Sequence, residues 1–142
     1  MTRALLFSAA LLLAGPAAAA GAAADAAQGY TVEVVATPAA LRLGERGTVA
    51  VVIHPRRPVW HVHPQAPLRV RLEAGPGLKL ERVELGRRDV VDPKAEAPRL
   101  ESPFVASARG AQQVRASVDF FLCSDAACVK QVRQLAVAVD VR

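Results

Sequence analysis

The sequence predicts an all-β protein, an antiparallel β-sandwich of about seven to nine strands. Short runs of β-branched and apolar residues alternate along the chain with breaks rich in proline and glycine, a spacing typical of sandwiches. Apolar residues alternate with polar or small ones most clearly at 49–53 and at 135–141, as expected for half-buried strands. Because each short strand has one apolar face, two sheets must pack together to bury these faces.

The first two dozen residues have the features of a secretory signal peptide. Arg3 supplies a positive charge, residues 4–13 are apolar, Gly15 and Pro16 break the run, and alanines at 17–20 offer small-residue cleavage sites. An apolar stretch of about ten residues is too short for the roughly 20 that span a bilayer. We therefore expect export to the periplasm or secretion, with no membrane span in the mature form.

The predicted domain boundary follows from this leader. Residues 1–24 are expected to be removed, with cleavage near Ala20 or Ala24, and residues 25–142 to form one sandwich domain. The remaining length of about 120 residues is enough for an ordinary core. Residues 21–29 are expected to be a flexible lead-in to the first strand.

Eight runs are predicted as strands, because each is rich in β-formers and is bounded by turn residues. They are Tyr30–Ala36, Thr48–His54, Pro58–His63, Leu68–Glu73, Leu78–Leu85, Phe104–Ala108, Val114–Cys123 and Cys128–Val141. The charged, proline-bearing segment 86–103 is expected to be a long surface loop. Trp60 and Val62 are expected to point inward and give the core an aromatic centre.

Composition excludes several function classes. The formal net charge is +5, and it falls to +4 once Arg3 is removed, with 17 basic residues facing 13 acidic ones. The arginines are spread along the chain, and there are only one Trp, one Tyr and four Phe, so nucleic-acid binding is not expected. The sequence has neither a Gly-x-Ser-x-Gly motif nor a phosphate-binding glycine loop.

The only two cysteines, Cys123 and Cys128, are separated by the four residues 124–127. A four-residue loop is an ordinary hairpin connection, and it sets the two cysteines opposite each other. Opposed residues in a non-hydrogen-bonded antiparallel pair have Cα atoms about 4.5 Å apart, within disulfide range. In an oxidising compartment we expect the disulfide to form.

Strand parity predicts which face carries the disulfide. Alternate residues from Val114 to Leu122 make an apolar face, whereas Cys123 and Cys128 share their faces with mostly polar residues. The sulfurs are therefore expected to be accessible. The same parity points Gln131 and Arg133 inward, which predicts a β-bulge or a hairpin that overhangs the sandwich.

The disulfide has a structural and a redox interpretation. A ring this small contributes about 2 kcal/mol in the loop-entropy model, against about 4.7 for a 100-residue loop. An exposed hairpin disulfide is also open to attack by a thiolate. The redox interpretation makes Cys123 and Cys128 the catalytic pair, and it leaves the identity of the attacked cysteine open.

At these residues the sequence resembles a known family. The Phe120-Phe-x-Cys-x(4)-Cys128 hairpin followed by a long apolar strand resembles the immunoglobulin-like N-terminal domain of the membrane thiol–disulfide interchange protein DsbD. The segment from Trp60 to Leu72 is similar to a strand and turn of related periplasmic domains. The resemblance implies an immunoglobulin-like fold and electron transfer through Cys123 and Cys128 to periplasmic thioredoxin-like or other disulfide-exchange proteins. We expect the domain to stand alone here, without the membrane and thioredoxin-like domains.

The three histidines, His54, His61 and His63, lie within ten residues. In an extended strand His61 and His63 project from one face, and imidazole suits Cu(II) or Zn(II). A metal site is a lesser hypothesis, because no carboxylate has ligand spacing nearby and nothing in the sequence places the cysteines beside the histidines. Apart from this copper or zinc, no cofactor is expected.

Three functions thus remain open from the sequence. The first is an exported thiol–disulfide exchange module, which would act as an oxidoreductase-type enzyme. The second is a non-catalytic periplasmic binding or interaction domain with a structural hairpin disulfide. The third is a periplasmic copper- or zinc-binding domain.

Overall fold

A computed structural model describes residues 17–142, so the first sixteen residues of the leader predicted at 1–24 lie outside the described residues. Helix α1 (Ala17–Gln28) is followed by ten strands, and a 3-10 turn at Arg87–Asp89 lies between the seventh and the eighth. The strands are β1 (Tyr30–Thr37), β2 (Ala40–Leu41), β3 (Arg46–Pro55), β4 (His61–Val62), β5 (Arg69–Ala74), β6 (Leu78–Leu80), β7 (Glu84–Gly86), β8 (Arg99–Ala106), β9 (Gly110–Cys123) and β10 (Cys128–Val141).

The strands form two sheets. One has the order β1-β3-β8-β6, and the other has the order β2-β10-β9-β5-β7, with β4 also paired to β9. All pairs are antiparallel except β2 with β10, which meet in parallel over two residues. The predicted fold class, an immunoglobulin-like antiparallel β-sandwich, is confirmed. Within residues 17–142 no helix is both long and apolar enough to cross a membrane.

The core lies between the sheets, and strand parity places its residues correctly. On β9 the alternate residues Val114, Ala116, Val118, Phe120 and Leu122 are all buried, as predicted. On β10 the inward residues alternate with exposed ones along the whole strand. Such alternation arises because successive side chains of a strand point to opposite faces of the sheet.

The β9–β10 hairpin is continuous, and the predicted β-bulge is wrong. Its register runs without interruption from Cys128 opposite Cys123 to Val141 opposite Gly110. Inward-pointing Gln131 and Arg133 therefore need no irregularity in the strand, because other elements supply them with polar and aromatic partners. Such partners are what a buried polar side chain requires.

Those partners come from the start of the described chain. The Tyr30 hydroxyl donates to Oε1 of Gln131 over 3.0 Å, and the Arg133 guanidinium lies 5.0 Å from the centre of the Tyr30 ring. Arg133 also donates to the carbonyl of Ala27 over 3.3 Å, at the end of α1. A cation at a helix C-terminus is favourable because of the helix dipole.

Residues 21–28, expected to be a flexible lead-in, belong instead to helix α1. Alanine has the highest helix propensity, and the segment is dominated by alanine. The last turn packs on the sandwich, since Ala26 is fully buried in the core cluster. The helix ends at Gln28, and the Gly29 amide donates to the Ala26 carbonyl over 3.0 Å.

The predicted surface loop at 86–103 is correct only in its middle. Val90 forms a β-bridge with Leu100, and β8 begins at Arg99, well before the predicted Phe104. Inward Leu100, Ser102 and Phe104 are fully buried. The polar residues that suggested a loop are partly the outward face of a central strand.

Two other predicted strands are shorter than expected. The run at 78–85 divides into β6 and β7, because the chain crosses from the four-stranded sheet to the six-stranded one. The run at 58–63 is strand only at His61–Val62. Trp60 precedes that strand and is half-buried, packed against the edge of the core, while Val62 is buried. The predicted aromatic centre is instead made by Phe104 and Phe120, which are fully buried.

Candidate functional site

The two cysteines form a disulfide at the turn end of the β9–β10 hairpin. Cys123 is the last residue of β9 and Cys128 the first of β10, and they are register partners with Cα atoms 4.0 Å apart. The turn between them is held by a hydrogen bond from the Ser124 amide to the Ala127 carbonyl over 2.9 Å. The predicted pairing is therefore present, at the final rung of the ladder.

The two sulfur-bearing residues differ in exposure, which corrects the expectation that both would be accessible. Cys128 is exposed, whereas Cys123 has only 2 % of its surface accessible. The reason is that β9 has a neighbour on each side here. β10 pairs with one edge, and the two-residue strand β4 pairs with the other.

His61 is the residue that β4 places beside the disulfide. It is the register partner of Cys123, and directly opposed residues of neighbouring strands project to the same face. His61 is half-buried. No sequence pattern predicts this histidine beside a cysteine, because the pairing of β4 with β9 joins residues 62 positions apart and depends on the complete sheet.

His63 takes a different role. Its Nδ1 accepts hydrogen bonds from the amides of Gln65 and Ala66, at 3.1 and 2.9 Å, and its own amide donates to the Phe121 carbonyl over 2.9 Å. The ring therefore caps the turn after β4 and has its Nδ1 occupied. This is a structural use of the imidazole.

The third histidine lies in the other sheet. His54 is exposed on β3, and its Nε2 is 3.3 Å from Oε2 of Glu33 on β1. Among residues 17–142 no group of three or more His, Cys, Asp or Glu side chains is arranged to hold a metal ion. The structure thus does not assemble the three histidines, and copper or zinc binding by His61 with His63 stays a prediction of the sequence.

Charges around the disulfide are few and compensate each other. The Lys130 ammonium lies 4.0 Å from Oδ1 of Asp119, and both belong to the outward face that carries the cysteines. Asp125 is exposed in the turn. A solvated pair at this distance contributes little to stability.

A cleft of about 420 Å³ opens on the other side of His61. Its apolar wall includes Val62, Val90 and Pro98, and its charged groups are Arg57, Arg87, Lys94 and Glu96. The charged segment 86–103, predicted as a surface loop, contributes side chains to this cleft. The structure gathers three of these loop residues, Arg87, Lys94 and Glu96, with Arg57 and His61 around one concavity.

Arg87 is the structural anchor of this cleft. Its Nη2 donates to the carbonyls of His63 and Ala66, at 2.7 and 3.0 Å. Its Nε is buried without a hydrogen-bond partner among the described residues. Burial lowers the pKa of Arg87, because its charge is partly removed from water.

No family model matches this sequence, and no curated protein matches it. Solved structures are similar in fold. A chain of the complex between Zinc 2-glycoprotein and Prolactin inducible protein from human seminal plasma is 12% identical, with a TM-score of 0.50, over 78% of this chain and 93% of that one. A conjugative transposon lipoprotein from Bacteroides eggerthii is 12% identical, with a TM-score of 0.43, over 78% and 96%.

A further similar structure is Escherichia coli alpha-2-macroglobulin from domain MG7 to the C-terminus. It is 17% identical, with a TM-score of 0.48, over 80% of this chain, and the match spans only 17% of that protein chain. At these identities the likeness concerns the fold alone. The class defined by the fold and the site is therefore an immunoglobulin-like β-sandwich domain with one hairpin disulfide.

Proposed function

We propose that the protein is an exported, non-catalytic binding or interaction domain in which the Cys123–Cys128 disulfide is structural. The observation that carries this proposal is the burial of Cys123 at the closing rung of a continuous hairpin whose two strands have 14 residues each. A buried sulfur between two neighbouring strands is poorly accessible to an incoming thiolate. Export to the periplasm or beyond would supply the oxidising compartment that such a bridge needs.

The disulfide fits a local role at the hairpin end. β4 contributes only His61 and Val62 to the sheet, so little backbone pairing holds the outer edge of β9 there. The bridge fixes the other edge, and it constrains a six-residue ring worth about 2 kcal/mol in the loop-entropy model. Loss of the bridge is therefore expected to loosen the hairpin end without unfolding the sandwich.

The test is the reduction potential of Cys123–Cys128, measured by equilibrating the folded domain in glutathione buffers and alkylating free thiols. A structural bridge is expected below about −300 mV, or to release no thiol without denaturant. The matched control is the Cys123→Ala/Cys128→Ala variant, which reports alkylation that does not depend on the bridge. A potential well above −300 mV with the fold retained would contradict the structural role.

A second candidate function, thiol–disulfide exchange, is favoured by the unequal exposure of the two sulfurs. The thiolate of a periplasmic thioredoxin-like protein would attack the exposed Cys128 sulfur. The Cys123–Cys128 bond would break, its electron pair would leave on Cys123 as a thiolate, and a mixed disulfide would remain at Cys128. The imidazole of His61, the cross-strand partner of Cys123, could donate a hydrogen bond to that thiolate.

The exchange function has its own test. With Cys123→Ser, a mixed disulfide at Cys128 cannot be resolved, so a thioredoxin-like partner is expected to accumulate as a covalent complex. With Cys128→Ser, only the buried Cys123 remains, and trapping is expected to be weak. Equal trapping by both variants, or none by either, would contradict exchange through Cys128.

A further inference from the structure

The cleft beside His61 carries an excess of positive charge. Arg57, Arg87 and Lys94 line it, and Glu96 is its single acidic residue. Oε1 of Glu96 lies 3.0 Å from Nη2 of Arg57, so those two charges largely compensate each other. Arg87 and Lys94 are the two remaining cations of the cleft.

Neither of these cations has a carboxylate partner. Among the ion pairs of residues 17–142, none involves Arg87 or Lys94. The acidic residue nearest in sequence to Arg87 is engaged elsewhere, because Asp89 accepts hydrogen bonds from Arg82 and from the Gly86 amide. Arg87 itself contacts only neutral carbonyls. A partly buried guanidinium that lacks an anion is a favourable place for one to bind.

The rest of the lining is apolar. Val62 and Val90 are nearly fully buried beneath the cleft, and Pro64, Pro93 and Pro98 complete the wall. Sites for small ligands typically combine such a wall with a few polar groups, in a volume of roughly 300–1,000 Å³. The cleft, at about 420 Å³, falls within this range.

From this combination we infer that the cleft binds a carboxylate carried on a small apolar group, with Arg87 and Lys94 facing the carboxylate and the valine and proline wall facing the apolar group. This inference rests on the proposed function, because it names a ligand class for the binding domain. The same chemistry is offered by the C-terminus of a peptide and by a free carboxylic acid.

Titration of the oxidised protein, followed by ¹H–¹⁵N correlation spectra, tests the site with a matched set of probes. N-acetyl-leucine has both features, N-acetyl-leucinamide lacks the charge, and acetate lacks the apolar group. Saturable shifts at the amides of His61, Lys94 and Ala95 are expected with N-acetyl-leucine. The affinity is expected to fall by about tenfold for the amide, since a charged hydrogen bond is lost, and also for acetate. An N-acetylated dipeptide ending in leucine, compared with N-acetyl-leucine, distinguishes a peptide C-terminus from a free acid as the source.

Variants test the role of the charges. Lys94→Gln removes the exposed cation that is proposed to face the carboxylate, and Lys79→Gln removes an exposed cation elsewhere on the surface. The cleft variant is expected to bind N-acetyl-leucine about tenfold more weakly, and the control as tightly as the parent. Both substitute exposed side chains, so folding is not at risk.

Three results would overturn the site: equal binding of the amide, an equal loss of affinity in the Lys94→Gln and Lys79→Gln variants, or shifts confined to another surface. The outcome is separable from that of the proposed function. A redox-active disulfide would contradict the structural role of the bridge without changing these titrations, and absence of binding would leave the reduction potential unchanged.

Discussion

The Tyr30 hydroxyl donates a 3.0 Å hydrogen bond to Oε1 of Gln131, and this bond joins side chains 101 positions apart. It links β1 of one sheet to β10 of the other. Tyr30 also meets Phe120 edge to face, with ring centres 4.9 Å apart. Gln131, which strand parity predicted to point inward, thus has its hydrogen-bond donor in the single tyrosine of the chain.

The contributions of Tyr30 and Gln131 to the free energy of unfolding are predicted to be coupled, because removing one group leaves the other buried without its partner. Tyr30→Phe leaves the buried Gln131 oxygen without its donor, and we expect the free energy of unfolding to fall by about 1–2 kcal/mol. Tyr30→Phe/Gln131→Leu is expected to lose less than the sum of the single variants. Urea unfolding of all four proteins measures the difference, and strict additivity would refute the coupling.

Tyr30 also predicts a stability change in alkali. Burial raises its pKa, and the nearby Arg133 opposes this in part. A tyrosine whose folded pKa is raised contributes stability that is complete below the unfolded value of about 10 and is lost as pH rises through the folded value. The parent protein should therefore lose stability more steeply above about pH 10 than Tyr30→Phe does. Parallel curves for the two proteins would contradict this.

Gly29 is predicted to be intolerant of a side chain. A Cβ there would lie 2.7 Å from the Trp60 ring and 2.9 Å from Cδ2 of Leu122. Gly29→Ala should therefore cost about 1–3 kcal/mol through overpacking. Since Trp60 is the only tryptophan, its fluorescence should report the displacement directly.

The control for this variant is Gly86→Ala. A Cβ at Gly86 meets only the Leu68 carbonyl, at an ordinary 3.5 Å. The free energy of unfolding of Gly86→Ala should differ from that of the parent by less than about 0.5 kcal/mol, and its tryptophan emission should be unchanged. An equal loss in both variants would mean that the packing of Trp60 on Gly29 is not the cause.

Asp89 predicts a loss of stability in acid. The hydrogen bond from Arg82, at 2.7 Å, and then that from the Gly86 amide hold the pKa of Asp89 below its usual value. A lowered folded pKa contributes stability above the unfolded value of about 3.9, and this is lost as pH falls through the folded value. Asp89→Asn should cost about 1 kcal/mol at pH 7. The difference from the parent should vanish at low pH, and a pH-independent difference would exclude a role for the charge.

Ser102 is predicted to matter for stability despite its small size. It is fully buried, and its hydroxyl donates to the Arg82 carbonyl over 2.7 Å and accepts from the Arg82 amide over 3.2 Å. Ser102→Ala leaves both backbone groups without that partner and should lower the free energy of unfolding by about 1–2 kcal/mol. Ser117→Ala, on the outer face of β9, should be close to neutral. Thermal unfolding compares the two, and a smaller loss at Ser102 than at Ser117 would contradict the prediction.

Some of these contacts can be predicted from the sequence and others cannot. The pairing of Cys123 with Cys128 and the buried face of β9 follow from local spacing and the period of two, so both are predicted correctly. The burial of Cys123 and its opposition to His61 depend on β4, a two-residue strand that pairs across the sheet. No local pattern encodes such a pairing.

The start of β8 was missed for a related reason. Ser102 and its charged neighbours have the composition of a loop, and the hydroxyl is satisfied by Arg82, twenty positions away. The cleft was missed because Arg57 and His61 are far in sequence from Arg87 and Lys94, and the fold alone brings them together. In each case the information lies in tertiary contacts, which composition does not report.

The contact between β1 and β10 has a consequence for the order in which the fold can be completed. As the chain is synthesised from its N-terminus, Tyr30 emerges about a hundred residues before Gln131, its buried partner. Until β9 and β10 have emerged, the six-stranded sheet lacks its two longest strands, so the apolar face of the four-stranded sheet has only a partial second layer to cover it. The sandwich can therefore close only when nearly the whole chain is available, and until then its uncovered apolar faces allow chaperone binding or aggregation to compete with folding.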